Sequence, residues 1–297
     1  MMNTTKASAI QANTVQPAPA VPLLEIDNLR VSFPASSGSV EVVRGVSLRL
    51  GRERLAVVGE SGSGKSVTFR SLLGLLPDSA RVSADAMRLN GENLLGLNAR
   101  DLRALRGRRI GMVIQDPRQG LDPLMTIGQQ LAEMLRLHDK APRRGLPGRV
   151  HELLADVHIR EPQRVVNLYP HQVSGGMAQR VMLAMMLSAE PELLIADEAT
   201  SALDAVVRRH ILDLIDEQVR LRGMGLILIS HDLDLVANYA DRVMVMYAGR
   251  VMEELSVNGG SLTPTHAYTQ GLMASRPSLQ HLGEDLPVLK RDPAWLN

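Results

Sequence analysis

Gly59-Glu60-Ser61-Gly62-Ser63-Gly64-Lys65-Ser66 follows the spacing of glycine, four residues, glycine, lysine and serine. Residues this poor in side chain let successive backbone N–H groups converge on one anion at a helix start, where the helix dipole favours negative charge. Lys65 adds a point charge for the β and γ phosphates of a nucleotide. Ser66 offers a hydroxyl to Mg2+, and Val67 continues the chain into the helix. A loop of this kind needs an acidic partner, and Leu193-Leu194-Ile195-Ala196-Asp197-Glu198 is an apolar run ending in two carboxylates. Open α/β sheets place ligands at the C-terminal ends of their strands, which is where Asp197 falls. Asp197 is expected to hold Mg2+, directly or through water, and Glu198 to polarise an attacking water as general base.

Residues so far apart meet only if strands carry them to one edge of a sheet. Apolar runs alternate with helical patterns along most of the chain, which predicts an α/β fold with a mainly parallel sheet. Strands are expected at Leu23–Phe33, Arg54–Val58, Ile110–Ile114, Leu193–Ala196, Leu226–Ser230 and Val243–Tyr247, with helices at Lys65–Leu76 and Met177–Leu187. From 116 to 190 the pattern turns helical and is broken by Pro and Gly, so this stretch reads as a helical subdomain inserted into the sheet domain. Lys140–Arg149, KAPRRGLPGR, reads as an exposed loop. Arg100–Arg109 holds five arginines without the interleaved aromatics that stack bases, and is expected to be a solvated helix face.

Composition narrows the function classes. The 297 residues are 45% hydrophobic and 22% charged, which excludes a disordered or fibrous chain. Lys plus Arg is 33 against Asp plus Glu at 32, so no global field holds a polyanion and nucleic acid is not an expected partner. Cysteine is absent, which removes disulfides, thiolate zinc sites, cysteine-ligated iron-sulfur clusters and a cysteine nucleophile. The longest apolar run, Val181–Leu187, is far shorter than the roughly 18 residues a spanning helix needs. Residues 1–22 lack an apolar segment and read as a disordered extension rather than a secretory signal. With two Phe, one Trp and four Tyr, the core must be aliphatic, and the 15 Met fill gaps in it.

Val173-Ser174-Gly175-Gly176-Met177-Ala178-Gln179-Arg180 stands about twenty residues before the acidic strand and resembles the signature motif of ATP-binding-cassette (ABC) ATPases. The resemblance runs from about Leu24 to Ser278, with the motifs in the family's order. Gln115 matches the Q-loop, Ser201-Ala202-Leu203-Asp204 the D-loop and His231 the switch histidine, while Phe33 lies where the family stacks an aromatic on adenine. The resemblance implies a P-loop NTPase of the ABC type: parallel core, antiparallel β edge and inserted helical subdomain. It implies ATP and Mg2+ as bound species, with Gln115 assisting Ser66 and Asp197 at the cation and His231 bonding the γ-phosphate. It also implies two cassettes facing head to tail, so that Ser174, Gly175, Gly176 and Asp204 serve an ATP held by the partner. The boundaries read as an extension at 1–22, a nucleotide-binding domain at 23–260 and a C-terminal extension at 261–297.

Val173 stands where the family usually has Leu, and Ala199 where it prefers Pro, and neither change removes a catalytic group. Met177, the runs GESGSGKSVT and QDPRQGLDPLMTIGQQ, and His266-Ala267-Tyr268-Thr269-Gln270 are similar to the oligopeptide, dipeptide and nickel uptake branch. Some members of that branch carry a C-terminal cysteine cluster, which this chain cannot form. The resemblance therefore implies the ATPase subunit of a bacterial importer of peptides, or of nickel or another small solute. It would lie peripherally on the cytoplasmic face of the inner membrane with two integral-membrane permeases, a second cassette, most simply a paralogue, and an extracytoplasmic solute-binding protein. A soluble ABC ATPase of DNA repair or ribosome action would carry a long heptad insertion or two fused cassettes, and neither is present. A P-loop kinase would leave Ser174-Gly175-Gly176 and His231 unexplained.

Overall fold

The computed structural model describes residues 21–36, 38–138, 145–275, 292 and 295. The expected extension at 1–22 lies outside them apart from residues 21 and 22, as does most of the tail.

Strand β1 (Leu24–Ala35) alternates inward residues at Leu24 and Ile26, then shifts phase so that Leu29 and Val31 are also buried. The shift is a bulge: the register with β2 (Gly38–Leu50) breaks between Ile26 and Leu29, and Asn28 takes a φ of 50°. Gly45, at φ 79°, makes the matching irregularity in β2 between Val43 and Val46. With β4 (Arg81–Ser83), β5 (Ala86–Leu89) and β6 (Glu92–Asn93) these strands form a five-stranded antiparallel sheet, β3 (Arg54–Val58) belonging elsewhere. The antiparallel part is thus a whole layer as well as an edge.

The second sheet has the order β11-β10-β3-β9-β8-β7, with β7 at Ile110–Val113, β8 at Leu193–Asp197, β9 at Gly225–Ser230, β10 at Arg242–Tyr247 and β11 at Arg250–Ser256. All pairs are parallel except β10 with β11, the antiparallel edge. The inner strands are apolar between their ends because both faces are covered. Leu55, Val57, Ile195 and Ile227 face the antiparallel layer, together with Phe69 and Leu72 of α1 (Lys65–Leu72). Ala56, Val58, Ala196 and Leu228 face a helical core. That core is built from α3 (Ile127–His138), α4 (Leu146–Asp156), α6 (Gly175–Leu187) and α7 (Ala205–Arg222), following α2 (Ala99–Leu105) in the chain, with the short α5 (Pro162–Val165) between α4 and α6. Between β7 and β8 every described element is helical. The chain continues through α8 (Leu233–Ala237) and ends its described helices at α9 (Ala267–Ala274). Among the described residues no helix is long and apolar enough to cross a membrane.

Three local expectations are revised. Helix α1 stops at Leu72 rather than Leu76, since Gly74 turns left-handed at φ 57° and Arg106 takes the terminal carbonyls of Leu73 and Gly74 at 2.7 and 2.9 Å. The arginine run is therefore not only a solvated face: Arg106 caps α1, and Arg109 pairs with Glu192 and Glu92, each at 2.6 Å. The loop at 140–149 ends early, because Leu146-Pro147 begin α4, where a proline in the first turn lacks only a donor the helix does not use. Residues 140–144 lie outside the described set.

One charged knot fastens the start of β3. Asp241 Oδ2 accepts the Arg54 backbone N–H at 2.9 Å and its Nε at 3.0 Å, and Arg54 Nη1 donates to Asp216 at 2.7 Å. The side-chain bonds from Arg54 hold the Asp241 carboxyl below the usual carboxylate range, against an opposing effect of burial. A depressed folded-state pKa stabilises above the unfolded value near 4, and that stability is lost as pH falls through the folded value. Asp241 is partly exposed, so the effect is modest. Asp241→Asn should lower the melting temperature by about 2–4 °C at pH 7, and the gap from wild type should close below about pH 4, as thermal scans across pH would record.

Candidate functional site

Strands β3, β7, β8 and β9 run parallel, so the loops that follow them open on the same edge of the sheet. After β3 the chain turns through Gly59, at φ 152°, where a Cβ would sit 2.1 Å from the Met246 carbonyl oxygen. Gly64, at φ 96°, would bring a Cβ to 2.9 Å from the Val42 oxygen. Both positions require glycine. Helix α1 then starts at Lys65, which is 5% exposed and donates from Nζ to the Gly59 and Glu60 carbonyls, each at 2.8 Å, and to Ser63 Oγ at 3.3 Å. Burial pulls the Lys65 ammonium below the usual lysine range, while the charges of Glu198, Asp197 and Glu60 oppose that shift. An anion between Lys65 and the loop amides would favour the charged form further.

Ser66 Oγ donates to Asp197 Oδ1 at 2.6 Å, and Arg70 donates to Oδ2 from Nη2 at 2.9 Å and from Nε at 3.2 Å. Asp197 is 2% exposed at the end of β8, so its charge is met by bonds rather than by water. Glu198 follows at φ 48°, a left-handed conformation that a residue with a side chain adopts only under constraint. The constraint is visible: the Glu198 N–H donates to Ile229 O of β9 at 3.1 Å, and its carbonyl accepts Ser201 N and Oγ, both at 3.1 Å.

The residues from Ser61 to Val67, with Val42, Arg70, Gln115, Asp197 and Glu198, line one cleft. His231 shares a neighbouring crevice with Glu198, Ser201 and Arg208. Ser174, Gly175, Gly176 and Asp204 line a different groove. There Ser174 Oγ caps α6 by accepting Met177 N at 3.3 Å, and Asp204 caps α7 by accepting Val206 N at 3.1 Å and Val207 N at 3.0 Å. Phe33 is half-buried opposite Val40 in β1 and does not line the cleft, although Val42, two residues along β2, does. Arg70 and Val42 escaped the sequence reading. A signal for Arg70 existed: four residues after Ser66 on a helix, it shares that residue's face.

The donors beside the loop suit a hard, small cation. Ser66 and Asp197 offer oxygen ligands and Gln115 an amide oxygen, and among the described residues no three His, Asp or Glu side chains cluster to cage a metal alone. Such a donor set matches Mg2+, which keeps water and phosphate oxygens among its ligands.

Residues 43–201 match the ABC transporter family model. The chain is 43% identical to the oligopeptide transport ATP-binding protein OppD of Bacillus subtilis (strain 168), across 89% of this chain and 74% of that protein. It is 43% identical to the dipeptide transport ATP-binding protein DppD of the same organism, across 91% and 82%. Among solved structures, a dimeric bacterial ABC transporter cassette superposes with a TM-score of 0.67 at 25% identity, over 80% of this chain and 99% of that one. The phosphate loop, the acidic strand end bonded to it and the signature turn thus sit on a fold shared with that cassette, and the chain belongs to the ABC transporter family.

Proposed function

We propose that this chain is the ATP-binding and ATP-hydrolysing subunit of a bacterial ABC import complex for peptides. The observation that carries the reading is the 2.6 Å bond from Ser66 to Asp197, which joins the phosphate loop to the acidic strand end with Lys65 and Glu198 beside it. The backbone N–H groups between Gly59 and Val67 cradle the phosphates, and Lys65 exchanges its carbonyl acceptors for β- and γ-phosphate oxygens. Glu198 accepts the proton of the water that attacks the γ-phosphorus, and His231 donates a hydrogen bond to a γ-phosphate oxygen. Ser66, Gln115 and Asp197 would hold Mg2+, which when bound neutralises phosphate charge. Phe33, which does not line the cleft in this structure, is the aromatic this reading assigns to adenine.

Ser174, Gly175, Gly176 and Asp204 open on a separate groove, so in this reading they act on ATP held by a second cassette. The printed names of the OppD and DppD relatives support peptide import. The domain bounds we adopt are 23–260 for the cassette, with 116–190 as its helical subdomain, and 261–297 for the extension. With no spanning helix among the described residues, transport needs other chains: two permeases, a paired cassette and a solute-binding protein, with this subunit docked on the cytoplasmic face.

The test is co-purification with two hydrophobic permease chains, followed by ATPase assays in which peptides, nickel and other solutes compete for stimulation. Stimulation by peptides is the expected result, and stimulation by nickel alone would reassign the solute. Lys65→Ala should weaken ATP binding at least about tenfold, because it deletes the charge that faces two phosphates. Wild-type affinity in a direct nucleotide titration would contradict that role.

A further inference from the structure

The phosphate loop is tied to a residue 208 positions away, Tyr268, whose hydroxyl accepts the Glu60 N–H at 3.4 Å. Tyr268 lies in the first turn of α9 and is fully buried. Its ring packs on Tyr247 at the end of β10, with centroids 4.6 Å apart, and meets Trp295 edge-on at 5.6 Å. The backbone beneath it is equally fixed. Glu253 of β11 accepts Thr265 N at 2.7 Å, Thr265 Oγ1 at 2.6 Å and His266 N at 3.2 Å, and His266 Nδ1 in turn accepts Tyr268 N at 3.1 Å.

The Glu60 N–H and the Gly59 carbonyl belong to one peptide group, and the Gly59 carbonyl accepts Lys65 Nζ at 2.8 Å. A peptide group is planar and rigid, so holding its N–H direction holds its C=O direction. A hydrogen bond on one end also polarises the other. On its far side the loop is tied by Gly249 N donating to Ser63 O at 3.0 Å. We propose that Tyr268 is a positioning residue for the phosphate loop: through the Gly59–Glu60 peptide it orients Lys65, making the C-terminal extension part of the nucleotide site. The inference rests on the nucleotide reading of that loop.

Tyr268→Phe keeps the ring and deletes only the hydroxyl. It should raise the Kd for Mg-ATP about two- to tenfold, the range for loss of one hydrogen bond. Deuterium uptake in the peptide spanning Gly59 to Ser66 should rise, and the melting temperature of the full chain should stay within about 2 °C of wild type. A lowered melting temperature with unchanged Kd and unchanged uptake would reduce Tyr268 to packing and overturn the proposal. If Tyr268→Phe does not fold, Glu253→Ala removes the oxygen that accepts all three bonds from Thr265 and His266 and should move Kd and uptake in the same direction, with no movement overturning the proposal. Wild-type protein that binds no ATP would instead overturn the nucleotide reading, whereas wild-type binding matched by both variants would overturn this inference alone.

Discussion

Glu198→Gln should slow ATP hydrolysis by at least about 100-fold, the lower end of what a positioned general base contributes, while Mg-ATP affinity should stay within about threefold of wild type. The separation follows from the site. Glu198 shares the cleft with the phosphate loop, but the loop's own fastening runs through Lys65 to Gly59, Glu60 and Ser63, and through Ser66 to Asp197. The amide keeps nearly the same shape and the same backbone, including the φ of 48° that aims the side chain. What it cannot do is accept the proton of the attacking water. Single-turnover phosphate release and a nucleotide titration on the assembled complex read the two quantities separately. Turnover like that of wild type would remove Glu198 from the role of base.

Ser174→Arg should reduce ATP hydrolysis in the assembled complex by about 100-fold or more, on the scale set by loss of a γ-phosphate contact, without altering the affinity of an isolated chain for ATP. Ser174, Gly175 and Gly176 begin α6, where the first N–H groups of a helix have no intrahelical partner and attract an anion. Their groove does not include the phosphate loop of the same chain, so in the proposed reading the anion arrives on another cassette. An arginine there adds bulk where the second nucleotide has to close. Ser174→Ala is the control, since it removes the cap on Met177 N at a cost of about 1 kcal/mol and leaves the groove open. ATPase rate per chain against concentration decides the matter: full activity in a dilute monomer, insensitive to Ser174→Arg, would end the shared-site mechanism.

The inner strands were legible because burial on both faces writes itself as an unbroken apolar run. Arg54–Val58 was placed to the residue, and the runs at Ile110, Leu193, Leu226 and Val243 within one. The antiparallel layer beyond β1 was not legible. The bulges at Asn28 and Gly45 break the period of two, and Arg81–Ser83 and Glu92–Asn93 are exposed, so no hydrophobic pattern marks them. In the site, Lys65, Ser66, Asp197 and Glu198 are legible from spacing, since the phosphate chemistry proposed for them demands those types in that order, whereas Gln115, Ser174 and His231 are legible only through the family resemblance. Arg70 and Tyr268 were not assigned roles there. An arginine on a helix and a tyrosine in a late segment suit many surroundings, and only the fold brings one to Asp197 and the other to Glu60.

The central sheet divides its side chains between two separate cores, with Leu55, Val57, Ile195 and Ile227 serving one and Ala56, Val58, Ala196 and Leu228 the other. None of these eight positions faces solvent, so heredity has no neutral ground at them. Drift at Leu55 is judged by the antiparallel layer and drift at Ala56 by the helices, and each core accepts little beyond swaps of similar volume. A lineage can therefore alter one core freely only by compensating within that same layer, while the strand backbone, and the phosphate loop it carries, stays where it is.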